Sequence, residues 1–243
     1  MNEEVTVEDL AENETDALVA YTKGGLGAIP YFGTLFGEVA SQIIPNQRID
    51  RISKFVIILE SKLKKLQFTV EELKQKIQKE EYVNLFEEGV WQAARSSSQE
   101  RKEYISSLLT NSLTDEAINE IQQGVLLSLL GDLNDNEVII LFGSSMRVRL
   151  GRESEFQKKH ENVLMKPLVH MSSPQEELDI AAVYETYRGK LVNLNLLKRD
   201  FKKPKKGEVP EFDEKTGMIK ATGYSLTPLG RLLLKYIDMP DEH

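Results

Sequence analysis

Apolar residues recur through the second fifth of the chain with a helical beat. Ile49, Ile52, Val56, Leu59, Leu63, Leu66, Val70, Leu73 and Ile77 stand alternately three and four apart, with Glu60, Lys62, Lys64, Lys65, Glu71, Glu72, Lys74 and Lys76 between them. Such a run draws one apolar seam along a long helix. A second signal cuts across it: Thr69-x-x-Glu72 has the form of a capping box, and Phe68 with Leu73 that of a hydrophobic staple, both marks of a helix start. The pattern fits a helix unbroken over about 47–82, or one that breaks at Gln67 and restarts. The seam either packs inside its own bundle or pairs with a second copy as a coiled coil. In the second case Ile49, Ile52, Val56, Leu59, Leu63 and Leu66 form the candidate interface.

Further helices are expected at roughly 83–96, 99–113 and 115–130, with Ser97 or Ser98 as a cap, Trp91 as a core anchor and Gly131 as a stop. In LNDNEVIILFG, Asn134 or Asp135 caps another helix, and Arg147 to Lys159 reads as a loop plus a short helix. After Ser172-Ser173-Pro174, QEELDIAAVYETYRGKLVNLNLLKRDF reads as a helix running into a strand. KKPKKGEVPEFDEKTG is turn-rich, MIKATGYSL a strand, and TPLGRLLLKYI a closing helix with Thr227 as cap and Pro228 at its first position. Upstream, a first helix is expected near Glu14. The stretch Gly24 to Ile44, with Gly33 and Gly37 on one helical face, reads as a short buried helix, or alternatively as a membrane-inserting segment. Glu38 and Gln42 weigh against insertion, since a charge in lipid costs several kcal/mol.

Composition narrows the chemistry. The 243 residues are 40% hydrophobic and 29% charged, enough for a real core under an ordinary soluble surface. The absence of cysteine removes disulfides, thiolate metal sites and cysteine nucleophiles, and fits a reducing compartment. Residues 1–16 hold seven acids and no base, unlike a signal peptide, and Pro30 and Glu38 interrupt the most apolar stretch. A cytoplasmic protein is expected. Its histidines (His160, His170, His243) form no His-Glu-x-x-His arrangement, and Asp132–Asn136 opens like a calcium loop but has Glu137 where the glycine should stand. No phosphate-binding loop or Gly-x-Ser-x-Gly elbow occurs, and Ser61-x-x-Lys64 lies among helix surface charges. No enzyme activity, cofactor, metal or small-molecule substrate is expected. The net charge of −8 is uneven: residues 1–50 balance at −7, and Tyr184 to Lys206 at +6. Any polyanion would meet the chain on that basic stretch.

From about 133 to 238, a helix ending in LVNLNLL, a strand, a loop, a strand and YSLTPLGRLLLKYI resembles the winged-helix pattern, with Leu226, Thr227, Leu229 and Gly230 in its Leu-Thr-x-x-Gly turn. A second resemblance covers more of the chain. ERKEYISSLLTNSLT, LLSLLGDLNDNEVIIL and LTPLGRLLL together resemble the Abi-alpha type of abortive-infection proteins, helical and linked to phage defence in bacteria. The fold class implied is mainly α: a helical bundle over 1–131, then a winged-helix-like α+β domain over 132–243. The winged-helix likeness implies a candidate nucleic-acid surface. The helix before the wing would offer Tyr184, Tyr187, Arg188 and Lys190, and the wing Lys198, Arg199, Lys202, Lys203, Lys205 and Lys206. Three functions stay open. One is a non-enzymatic bacterial helical adaptor with a protein partner or self-association, tied to phage defence by the second resemblance. The others are a DNA-binding regulator using 184–206 and a membrane-perturbing effector using 24–44.

Overall fold

The computed structural model describes residues 49–66, 68–114, 120–146, 154–170, 172–213 and 217–239. The protein is mainly helical: ten helices and one two-stranded antiparallel sheet are present among the described residues. The expected helix near Glu14 and the segment Gly24–Ile44 lie outside them. The chain divides into two compact units, one running to Asp132 and also taking Tyr236–Asp238, the other comprising the rest.

In the first unit the long-seam pattern is cut in two. Helix α1 covers Ile49–Leu63 and α2 covers Val70–Ile77. Thr69 is the N-cap of α2: its hydroxyl accepts from Glu72 N–H at 3.3 Å, and the Glu72 carboxylate accepts from Thr69 N–H at 2.8 Å. The capping box overrides the apolar periodicity, because it satisfies N–H groups that a continuous helix would have bonded otherwise. Helices α3 (Glu80–Arg95), α4 (Gln99–Thr114) and α5 (Glu120–Asp132) follow. α1 packs on α3 and α4, α2 on α3, and α5 on α3 and α4.

Ile52, Phe55, Val56, Leu59 and Leu63 of α1 are buried, as are Leu73 and Ile77 of α2, and each such side chain stabilises the unit by roughly 1.5–3 kcal/mol. α4 is buried on nearly every side despite its hydroxyls and bases. Ser107, Thr110 and Ser112 donate back to the carbonyls of Glu103, Ser106 and Leu108, each at 2.8 Å, so their hydroxyls enter the core already bonded. Ser98 caps this helix, accepting from Arg101 N–H at 3.0 Å. Buried Arg101 donates to the Leu130 carbonyl at 2.6 Å, placing a cation on the carbonyl end of α5. The expected stop at Gly131 is corrected: α5 runs through it to Asp132. A Cβ there would come within 2.6 Å of Gln92 Nε2, which donates to the Leu127 carbonyl, so a larger residue would displace the end of that side chain. Trp91 is half-buried, with the Arg95 guanidinium 5.4 Å from its ring. At the far end of the chain, Asp238 accepts from Lys62 at 2.8 Å and Asn111 at 2.9 Å, and Asn111 also donates to the Tyr236 carbonyl.

The second unit contains α6 (Asp135–Gly143), α7 (Glu155–Lys159), α8 (Glu161–Leu164), α9 (Gln175–Asn193), β1 (Leu197–Phe201), β2 (Ala221–Leu226) and α10 (Pro228–Tyr236), the last residue of which counts with the first unit. Asn134 and Glu137 form the capping box of α6, and Ser154 with Gln157 that of α7. Phe156 of α7 stands edge-on to Phe142 of α6 at 4.7 Å and tilts against His160 at 4.5 Å. α8 and α9 pack on α6, and β1 on α9.

The turn that ends α9 sets the path of the chain into β1. Asn195 takes a left-handed conformation (φ 57°), Asn195 N–H bonds the Val192 carbonyl and Leu196 N–H the Leu191 carbonyl, a Schellman closure. Thr227 then locks onto this turn. Its hydroxyl donates to the Asn195 carbonyl at 2.6 Å and accepts from Gly230 N–H at 3.0 Å, while its N–H bonds the Leu196 carbonyl at 3.1 Å. A Cβ on Gly230 would collide with that same Leu196 carbonyl. The Leu-Thr-x-x-Gly pattern thus has a mechanical meaning: the threonine caps α10 and the glycine lets the helix lie on the turn.

Candidate functional site

The residues proposed from sequence separate into those the fold consumes and those it displays. The seam is consumed. Ile52, Val56, Leu59 and Leu63 are core residues of the first unit, Leu66 is half-buried, and the side chain of Ile49 lies outside the described residues. Of the two alternatives for the seam, Ile52, Val56, Leu59 and Leu63 take the intramolecular one, facing α3 and α4 of the same chain.

Three of the ten basic-stretch candidates are consumed too. Tyr184 is 5% exposed, and its hydroxyl donates to the Leu164 carbonyl at 3.0 Å. Arg188 donates to that hydroxyl at 2.7 Å, and its guanidinium lies 5.0 Å from the rings of both Tyr184 and Tyr224. Each such contact stabilises by ~0.5–2 kcal/mol and holds the cation inside the unit. Lys190 donates to Glu137 at 2.9 Å, and the Glu137 side chain is only 3% exposed. Tyr184, Arg188 and Lys190 thus act as internal fasteners that tie α9 to α8, β2 and α6. Tyr187 is half-buried. Lys198, Arg199, Lys202, Lys203, Lys205 and Lys206 are all exposed.

The outward half of α9 has a different character from the expected reader of base edges. Residues 175–180 are exposed throughout, Glu176, Glu177 and Asp179 alternate with exposed Leu178 and Ile180, and Val183 is exposed a turn further on; Glu185 is ion-paired with Lys166 at 2.6 Å. A helix that enters a major groove offers its first turns to the bases; the three carboxylates there, Glu176, Glu177 and Asp179, oppose the phosphates on either side.

The hairpin is longer than its two named strands. β1 and β2 pair from Leu197↔Leu226 to Phe201↔Ala221, with a bulge at Asp200/Phe201. Beyond this, Phe212 pairs with Ile219, Lys220 N–H bonds the Glu211 carbonyl and Asp213 N–H the Met218 carbonyl, each at 2.8 Å. The ribbon therefore continues as 211–213 against 218–220, and residues 202–210 are an excursion out of its first strand. On sequence alone 202–217 reads as a single turn-rich segment leading into the strand MIKATGYSL. The signal that could have separated its parts is EFDEKTGMIK, a short turn flanked by apolar residues.

Inside the hairpin the acids are largely engaged. Asp200 accepts from Ser225 at 2.8 Å, and Glu208 accepts from Lys205 N–H at 3.2 Å. Glu211 is bound by Lys220 at 2.6 Å, and this hydrogen bond and charge hold its carboxyl below the usual glutamate range. The excursion and the strand beside it enclose an open cleft of about 340 Å³, lined by Lys202, Pro204, Glu208, Val209, Pro210, Glu211 and residues 219–222. Phe201, Val209, Phe212, Met218 and Ile219 are exposed, Val209 to 79%.

Among the described residues no group of three or more His, Cys, Asp or Glu side chains could hold a metal ion, and no helix is long and apolar enough to cross a membrane. No family model, curated protein or solved structure matches the chain.

Proposed function

We propose that this chain is a non-enzymatic interaction protein of the helical-adaptor kind, with a winged-helix-like second unit as its contact module. The observation that carries the reading is one side of α9, where apolar Ile180 and Val183, three residues apart, stand exposed beside Glu176 and Asp179. Apolar groups kept in water on a folded unit favour contact with another protein, and the carboxylates turn a DNA backbone away. The resemblance to Abi-alpha proteins supports a bacterial, cytoplasmic role in phage defence as the process served.

The runner-up is a DNA-binding regulator, favoured by the exposed run Lys198, Arg199, Lys202, Lys203, Lys205 and Lys206. The membrane-perturbing reading rests on 24–44, outside the described residues.

The test pairs two measurements on the full chain. In-cell crosslinking read by quantitative mass spectrometry is expected to recover a defined partner that an Ile180→Glu/Val183→Glu variant loses. Duplex DNA anisotropy at about 50 and 200 mM salt is expected to stay flat. Strongly salt-dependent duplex binding that disappears when Lys202, Lys203, Lys205 and Lys206 become glutamate would replace the adaptor reading with the regulator.

A further inference from the structure

The excursion 202–210 leaves a strand that resumes at 211 and closes on itself through Glu208 N–H to the Lys205 carbonyl at 2.9 Å, with Gly207 at φ 90° supplying the turn. A left-handed residue there requires glycine or close to it, so the segment has a defined shape. What the shape makes is the cleft of about 340 Å³, with Pro204, Val209, Pro210 and Ile219 as apolar walls. Its volume is at the low end of the ~300–1,000 Å³ of small-molecule sites, and it is open along one side. That suits one side chain of a longer ligand better than an enclosed metabolite.

Charge selects among chain-like ligands. The two cleft carboxylates have partners within the hairpin, Glu211 in Lys220 and Glu208 in the Lys205 N–H. The exposed lysines at 202, 203, 205 and 206 are on the excursion itself. A nucleic acid strand would want aromatic faces on which to stack its bases, whereas the cleft lining contains prolines and aliphatics and no aromatic ring.

We infer that this cleft docks an acidic peptide segment of a partner protein, seating one apolar side chain against Val209 and Ile219 while the peptide's carboxylates meet Lys202, Lys203, Lys205 and Lys206. The inference rests on the interaction-module reading and names the partner's chemistry at a second face of that module. The apolar anchor supplies affinity and the lysines supply sign selection and steering.

The experiment titrates the full chain into a panel of fluorescein-labelled short peptides, each with a central Phe, Leu or Trp flanked by Asp and Glu. Controls replace the central residue with Gly or the flanks with Lys, and oligouridylate and a DNA duplex form separate arms. The acidic apolar peptides are expected to bind, with at least about tenfold loss on central Gly, on Val209→Glu and on Lys202→Glu, the last two with unchanged circular dichroism. Val209 is exposed, so the substitution does not disturb the core. Three results overturn the inference: no acidic peptide exceeding the Lys-flanked controls, binding indifferent to Val209→Glu, or oligonucleotide binding where the peptides fail. If the peptides fail while the Ile180→Glu/Val183→Glu variant still loses its cellular partner, the cleft inference falls alone. If that partner is also absent, the interaction reading falls with it.

Discussion

Two helices of similar sequence character meet opposite fates. Neither α4 nor α9 has a clean apolar stripe, and both mix hydroxyls, charges and aliphatics around their circumference. α4 is enclosed nearly all round, whereas α9 is covered mainly toward its C-terminal half, where Tyr184 and Leu191 are buried. The difference lies in what becomes of the polar groups. Along α4 the hydroxyls of Ser107, Thr110 and Ser112 return to their own backbone and the bases reach carbonyls, so burial leaves these groups bonded, with the Ser106 hydroxyl as the exception. Along the first half of α9 the carboxylates stay in water and hold Leu178, Ile180 and Val183 there with them. A helix without amphipathic order is thus a centre in one unit and a display surface in the other.

The sharpest way to break this contrast is to truncate one apolar residue on each helix. Leu108→Ala in α4 is expected to cost about 2–5 kcal/mol in denaturant unfolding, because Leu108 is fully buried. Ile180→Ser in α9 is expected to stay within about 0.5 kcal/mol of the parent, as an exposed substitution should. Equal costs at the two positions would refute the assignment of roles.

A somewhat smaller effect is expected at Gly230. The added Cβ of Gly230→Ala has to push the Leu196 carbonyl, part of the backbone, and should cost about 1–3 kcal/mol. The loss should appear in hydrogen exchange at α10 and the turn after α9, while α4 keeps its protection. Unchanged exchange at Leu196 and Thr227 would mean that Thr227 and Gly230 do not lock this turn.

The smallest expected signal is in acid. Burial alone would raise the Asp238 carboxyl, but hydrogen bonds from Lys62 and Asn111 and the Lys62 charge outweigh it and hold the carboxyl below its ordinary value of 3.8. The unfolded chain therefore binds this proton at higher pH than the folded one. The stabilisation is complete above about 3.8 and is lost as pH falls through the lower folded value. Asp238→Asn should flatten that part of the acid unfolding curve, and an unaltered slope would show that the carboxylate contributes nothing there.

Local grammar is the legible part of this sequence. The capping residues Thr69, Ser98, Asn134 and Thr227 each stand at a helix start, and the passage from α9 into β1 follows the written pattern. Cap chemistry acts over three or four residues, so sequence neighbours carry it. The seam is legible as a seam but its partner is not, since spacing does not reveal whether the facing helix belongs to the same chain. Arg188 passes for surface charge because composition registers a guanidinium but not the two tyrosines, one from a distant strand, that enclose it. The cleft is hidden for the same reason: its walls come from 204–211 and 219–222, which become neighbours only when the ribbon pairs.

The membership of Tyr236–Asp238 in the first unit has a consequence for how this protein can be inherited and dissected. A unit whose last piece is encoded after most of its neighbour is an interrupted text, and the second unit, which resumes at Met239, is interrupted in turn. No single cut yields two whole parts. A fragment ending at residue 132 lacks the fully buried Tyr236 and the nearly buried Ile237, and a fragment starting at 133 carries those residues without their surroundings. Gene fusions, truncations and recombination events that treat the boundary near residue 132 as a seam between beads should yield damaged halves. An excision of 133–235 with the ends rejoined would keep both pieces of the first unit on one chain.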